Sequence, residues 1–339
     1  MVGFGGRRAL PRVVNSVSDH DPTIGTERRD GGRLKSVGNW PVRCFQVLVS
    51  LALAGACSAA AVGGIASTQP SQVVVSADRS GSFANLFLLT SGGALRRLTS
   101  KKAEQTDPAL SPSGTELAYV QAASATCVSC PSTIWIVNTD GSHIRGLTYP
   151  QPYNSNPTLW DESPSWSPDG KQIVFSRESD FSYELFTIPN TGGTPRDLFV
   201  GGVSPAWGPT RIAYIVLPFE RPGPVSLWTI KPNGSDATEV TSGFIESPAW
   251  SRDGDLAYLN QPPGGKPILV VMAGGAMRQY SLPLAQATSV SWSPDNKHLA
   301  VVAQARPQGK FDVYSIGADG SGLRRLTTNA DALSATWGI

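Results

Sequence analysis

One phrase recurs through this chain and limits what it can fold into. Aligned on its tryptophan it reads "SPSWSPDG" (163–170), "SPAWGPTR" (204–211), "SPAWSRDG" (247–254), "SVSWSPDN" (289–296) and "SATWGI" (334–339). A sixth copy, "DPALSPSG" (107–114), carries Leu110 where the others have Trp. Successive Trp positions lie 41, 43, 42 and 45 residues apart, and the step of 56 from Leu110 to Trp166 marks an insertion. Regular self-similarity at such a period is the signature of a repeat architecture.

Each copy continues alike. After the turn comes a short apolar strand, such as "ELAYVQ" (116–121), "QIVFS" (172–176) or "HLAVVA" (298–303). A second follows, such as "TIWIVN" (133–138), "ELFTIP" (184–189) or "SLWTIK" (226–231). Then come a hairpin like "NTDGS" (138–142), whose Asp-Gly suits positive φ, and a last strand closing on Leu147-Thr148, Val240-Thr241 or Leu326-Thr327. Four short strands per unit of about 42 residues predict propeller blades, with each Trp filling the wedge between neighbours. Residues 73–100 supply three strands without a first, and 333–339 supply a first strand without the rest. The expected fold is therefore all-β: a six-bladed β-propeller over 72–339, closed by strands from both ends, which leaves no free sheet edge.

"DGSHIRGLT", "ESPSWSPDGKQIVFS" and "GADGSGLRRLT" resemble the repeats of TolB-type bacterial propellers, the WD40-like (PD40) group, over about residues 72–339. The resemblance implies an envelope propeller that docks partners. The separate N-terminal α/β domain of TolB has no counterpart in the sequence, so the Tol–Pal role is not carried over.

The formal net charge of +2 is unevenly spread: residues 1–43 hold eight Arg/Lys against four Asp/Glu, the remainder 20 against 22. A weakly acidic repeat region lacks the footprint that phosphate contacts require, so no nucleic-acid partner is expected. Residues 1–43 form a basic leader expected to be disordered, with the true translation start near Val37 or Val42. Arg43 then precedes an uncharged, apolar stretch over 44–66, and 67–71 is a linker. A positive residue ahead of an apolar segment is the pattern of an export signal. "LAGAC" resembles the bacterial lipobox, with Ala54 where Leu is usual, which implies lipidation at Cys57. A single uncleaved span and cleavage after Ala56 are the other two readings. All three put the repeat region outside the cytoplasm, membrane-anchored in the first two, in the cell envelope.

Candidate chemistry is sparse. The three His are scattered, no P-loop, dinucleotide fingerprint or Gly-x-Ser-x-Gly elbow occurs, and neither catalytic residues nor metal ligands nor cofactors are expected. With no such elbow, and the chain ending at ring closure, the α/β-hydrolase that follows similar propellers in prolyl peptidases is expected to be absent. Cys127 and Cys130 are expected to form a local disulfide rather than a redox or zinc site. Asp107, Asp161, Glu162 and Glu246 begin first strands and are candidates for the mouth of an axial channel.

The enlarged loops over 121–133 and 148–162 are expected on one face, with Tyr149, Tyr153, Trp160, Phe181, Tyr183, Phe219, Arg221 and Arg306 as docking residues, since aromatics and Arg dominate binding hot spots. The expected function is a non-enzymatic, monomeric scaffold presenting this face to an envelope protein or cell-wall ligand. The alternative is a propeller enzyme or carbohydrate-binding protein, of the lyase or lactonase kind, using the axial channel.

Overall fold

The computed structural model describes residues 72–79, 83–122, 131–149, 159–179, 182–218 and 223–338. The leader, the apolar segment with Cys57, the linker through residue 71, Cys127, Cys130, Tyr153, Phe181, Phe219 and Arg221 lie outside them.

Among the described residues every regular element is a strand. The chain begins with β1 (Gln72–Ala77), β2 (Asn85–Leu89) and β3 (Leu95–Arg97). Next come β4 (Gln105–Leu110), β5 (Glu116–Ala122), β6 (Ser132–Asn138) and β7 (Arg145–Gly146). A third group is β8 (Leu159–Trp166), β9 (Gln172–Ser179), β10 (Ser182–Pro189) and β11 (Arg196–Gly201). A fourth is β12 (Val203–Trp207), β13 (Ile212–Val216), β14 (Val225–Ile230) and β15 (Thr238–Gly243). A fifth is β16 (Ile245–Trp250), β17 (Leu256–Asn260), β18 (Ile268–Ala273) and β19 (Ala276–Ser281). The last are β20 (Gln286–Trp292), β21 (His298–Gln304), β22 (Phe311–Gly317), β23 (Arg324–Arg325) and β24 (Ala332–Gly338).

Within each group consecutive strands pair antiparallel. β24 joins the first group, pairing with β1 from Gln72↔Gly338 through Ser76↔Ser334. Among the described residues a single parallel bridge, Ser132↔Trp160, links the second group to the third. The first strand of each group touches that of the next from β4 through β8, β12, β16 and β20 to β24, and β24 touches β4.

Among the described residues the core is six clusters rather than one. Each of Trp166, Trp207, Trp250, Trp292 and Trp337 packs with residues of its own sheet and the preceding one, and Leu110 takes the same place beside Val74 and Leu86. A sheet with two apolar faces must cover both, and stacking against like sheets does so.

Hydrogen bonds explain the other repeated letters. The Ser after the wedge residue caps its turn: Ser111, Ser167, Ser251 and Ser293 Oγ accept from the backbone N–H of Glu116, Gln172, Asp255 and His298. The Thr of the Leu-Thr ending receives a buried N–H from the inner neighbouring strand, at Leu86→Thr99, Ile134→Thr148 and Val313→Thr327. Both devices satisfy backbone donors that would be costly to leave unpaired.

Candidate functional site

The six inner strands surround a cavity of about 2100 Å³. Its walls are set by a bulge. In β4, β8, β12 and β16 the register with the neighbouring strand shifts between Thr106 and Ala109, Glu162 and Ser165, Val203 and Ala206, and Glu246 and Ala249. At each bulge the residue before a proline takes positive φ: Asp107 at 50°, Ser163 at 53°, Ser204 at 51° and Ser247 at 52°. Proline has no N–H to give the ladder, and a bulge is where a strand tolerates that loss. β20 and β24 have Val290 and Ala335 in place of proline, and Ser289 and Ser334 are not in this conformation.

Neighbouring sheets are tied through the same serines. Ser247 Oγ accepts from Val290 N at 2.9 Å, and Ser334 Oγ from Asp107 N at 3.2 Å. Ser165 and Ser291 receive the N–H of Trp207 and Trp337.

The bulge sets the mouth. Thr106, Glu162, Val203 and Glu246 immediately precede it, and with Glu104 and Asp107 they line the cavity. Glu246 is mostly buried, and its Oε2 has no hydrogen-bond partner among the described residues. Burial pushes its carboxyl up to about 7, because desolvation disfavours the charged form. Beside it Gln261 clasps the next sheet, donating to Ala285 O at 3.2 Å and accepting from Ala287 N at 3.0 Å.

Asp161 is a correction. It adjoins Glu162, and successive strand residues face opposite ways. Its carboxylate is absent from the cavity wall and is bound instead by Arg177, at 2.6 and 2.9 Å.

The expected docking residues are dispersed in structural role. Tyr149 is 75% exposed, and Arg306 is exposed in the loop after β21. Trp160 is half-buried in β8, opposite Glu178 of β9. Tyr183 lies in β10 rather than a loop and packs against the cluster around Val203 and Ile215.

Arg252 went unmarked in the sequence reading, although the alignment carries its signal. In the turns after Leu110, Trp166, Trp207 and Trp292 the second residue is proline, Pro112, Pro168, Pro209 and Pro294, and after Trp250 it is Arg252. All five line the cavity at the end away from Glu246.

No family model matches the chain. TolB from Acinetobacter baumannii superposes with a TM-score of 0.62 at 17% identity, covering 79% of this chain and 66% of that one. The fold is that of the TolB-like propellers. An oligogalacturonate lyase solved in complex with manganese has it too, with a TM-score of 0.50 at 14% identity over 73% of this chain and 72% of that one. In sequence, the "Uncharacterized peptidase YuxL" of Bacillus subtilis (strain 168) is 27% identical over 204 residues, 58% of this chain. The chain spans only 29% of that relative's length.

These relatives correct the expectation of a non-enzymatic docking scaffold, since this TolB-like propeller fold is carried by a lyase and the sequence relative is named a peptidase. A manganese site does not fit the residues present: among the described residues no three His, Cys, Asp or Glu side chains converge to hold a metal. No helix among them is long and apolar enough to cross a membrane.

Proposed function

We propose that this chain is a six-bladed propeller, its two ends sharing one blade, that acts as an enzyme on a ligand held in the axial channel. Glu246 is the group that takes up and releases the proton. The blade count and closure are supported by the β24–β1 pairing and by the cyclic contacts of the inner strands.

The site reading is carried by Glu246. A general acid or base works best with a pKa near the working pH, and burial brings this carboxyl to about 7. Glu246 lines the channel, and its Oε2 is buried there without a hydrogen-bond partner among the described residues. Glu162, before the equivalent bulge of β8, supplies a second carboxylate on the same mouth, and two carboxyl groups in unlike surroundings can divide acid and base roles. The reaction class is bond cleavage by proton transfer, of the lyase or hydrolase kind. We also read the domain as exported, on the strength of Arg43 and the apolar stretch over 44–66.

The test is a turnover screen with methyl-esterified oligogalacturonate, read by the absorbance of an unsaturated product, and with chromogenic aminoacyl arylamides. One class should be turned over with a pH profile that bends near 7. Glu246→Gln should lower that rate by about a hundredfold or more while the melting curve stays cooperative. Turnover of neither class, or a rate indifferent to Glu246→Gln, would overturn the reading.

A further inference from the structure

The turn end of the cavity breaks the repeat at one position. Gly170 N bonds Ser167 O at 2.9 Å, Gly114 N bonds Ser111 O at 2.8 Å, and Gly254 N bonds Ser251 O at 3.2 Å, so Arg252 sits in the same turn as its proline counterparts. Proline suits that place because its φ is preset. Arginine gives up this preorganisation, and an unneeded cation would not be expected to face the axis.

The side chain reaches across the ring. Arg252 Nη2 donates to Pro112 O at 3.1 Å. Pro112 follows β4 and Arg252 follows β16, and those strands stand three steps apart either way around the cycle of inner strands. Opposite walls are thus joined by one guanidinium. Its backbone is fixed as well, since Arg252 N donates to Asn296 Oδ1 at 3.0 Å from the adjacent turn.

Charge makes the position unusual. Among the described residues that line the cavity, the charged ones are Glu104, Asp107, Glu162 and Glu246, all acidic, and one cation, Arg252. Arg252 makes no ion pair among the described residues, whereas Arg145, Arg177, Arg211 and Arg325 each pair with a carboxylate. A guanidinium has five N–H donors in a planar fork matched to a carboxylate, and the bond to Pro112 engages one of them.

We propose that Arg252 is a carboxylate-binding residue at the turn end of the channel, taking the acid group of a ligand that enters by the acidic mouth. Arg252 lies six residues beyond Glu246, up to about 20 Å along an extended strand, so one slender ligand can touch both. The mouth carboxylates oppose a polyanion, which limits the ligand to one carboxylate at its leading end and a neutral, polar remainder. This rests on the channel being the ligand site but does not depend on any particular reaction there.

The experiment compares two probes that share a ring and differ at one carbon, glucuronate and glucose. Binding to the full chain is measured by ligand-observed NMR titration near pH 7.5, where no turnover is needed. The protein should prefer glucuronate by about tenfold, the yield of one charge-assisted hydrogen-bond pair. Arg252→Met, which removes the guanidinium but keeps the backbone N–H bonded to Asn296, should abolish the preference while the protein still melts cooperatively, and Arg252→Lys should keep part of it. Equal binding of the two probes, binding of neither, or a preference that survives in Arg252→Met overturns the proposal. Activity that persists without this preference would spare Glu246 and remove only Arg252.

Discussion

Arg177 holds Asp161 through both carboxylate oxygens, Nε at 2.6 Å and Nη2 at 2.9 Å, as direct cross-strand partners of β8 and β9. The guanidinium also lies over the rings of Phe175 and Phe186, at 5.3 and 4.8 Å from their centroids. Asp161 is almost fully buried. Leaving one buried charge without its partner costs about 3–5 kcal/mol. Asp161→Ala should therefore destabilise by about that amount in urea denaturation. Asp161→Ala with Arg177→Met should cost less than Asp161→Ala alone, because no orphan charge remains. Arg177→Lys should not substitute, since lysine lacks both the fork and the stacking plane.

Much of the fold was legible in the sequence because it repeats: strand, turn and wedge recur in order, and the structure shows which backbone donors the Ser and Thr satisfy. The site was less legible. Asp161 and Glu162 look equivalent on the page, and only strand alternation with Arg177 opposite sends one inward and the other into the channel. The burial that perturbs Glu246 is a property of the folded chain, which no local pattern reports. Arg252 was visible as the one arginine among prolines, but its meaning needed Pro112, 140 residues away in sequence, to be opposite it.

Glu246 should make stability depend on pH in a defined direction. Its carboxyl is raised from 4.5 to about 7 on folding, so the folded state binds the proton more tightly than the unfolded state does. The contribution is present in full below about pH 4.5 and is lost as pH rises through 7. Glu246→Gln keeps the neutral shape at every pH. Its stability relative to the parent should be near zero at pH 4.5 and should rise to a gain on the order of 2–3 kcal/mol at pH 8. Parallel urea titrations across that range check it, and a flat difference would count against the buried carboxyl.

The wedges are not interchangeable. Trp166 and Trp292 donate Nε1–H to Ala109 O and Ala249 O, at 2.9 and 3.1 Å, but the buried Trp250 Nε1 has no partner among the described residues. Its indole lies over Gly208, where an added Cβ would come within 2.6 Å of the ring. Gly208 stands where most other copies have Ser, so Gly208→Ser would look like a harmless return to the repeat. It should instead cost about 1–3 kcal/mol through overpacking, and Gly208→Ala nearly as much. Thermal melts of both variants decide the matter. Loss of stability in Ser but not in Ala would point to the hydroxyl rather than to space.

The pairing of β1 with β24 can be tested without removing any residue. Val74 and Thr336 are direct partners in that ladder, and directly opposed antiparallel residues have Cα atoms within disulfide range. Val74→Cys with Thr336→Cys should oxidise to an internal bridge joining the first and last strands described. A bridge across so long a loop constrains the unfolded chain strongly, with a typical gain of about 2–4 kcal/mol, less a fraction for the trimmed Val74 side chain in its buried place. The oxidised variant should melt above the parent, and reduction should return it to the parent value or slightly below. If the two cysteines stay free under oxidant while the protein is folded, β1 and β24 are not neighbours and the ring is open. If the bridge forms but stability does not respond to reduction, the two ends are adjacent without the last strand contributing to what melts.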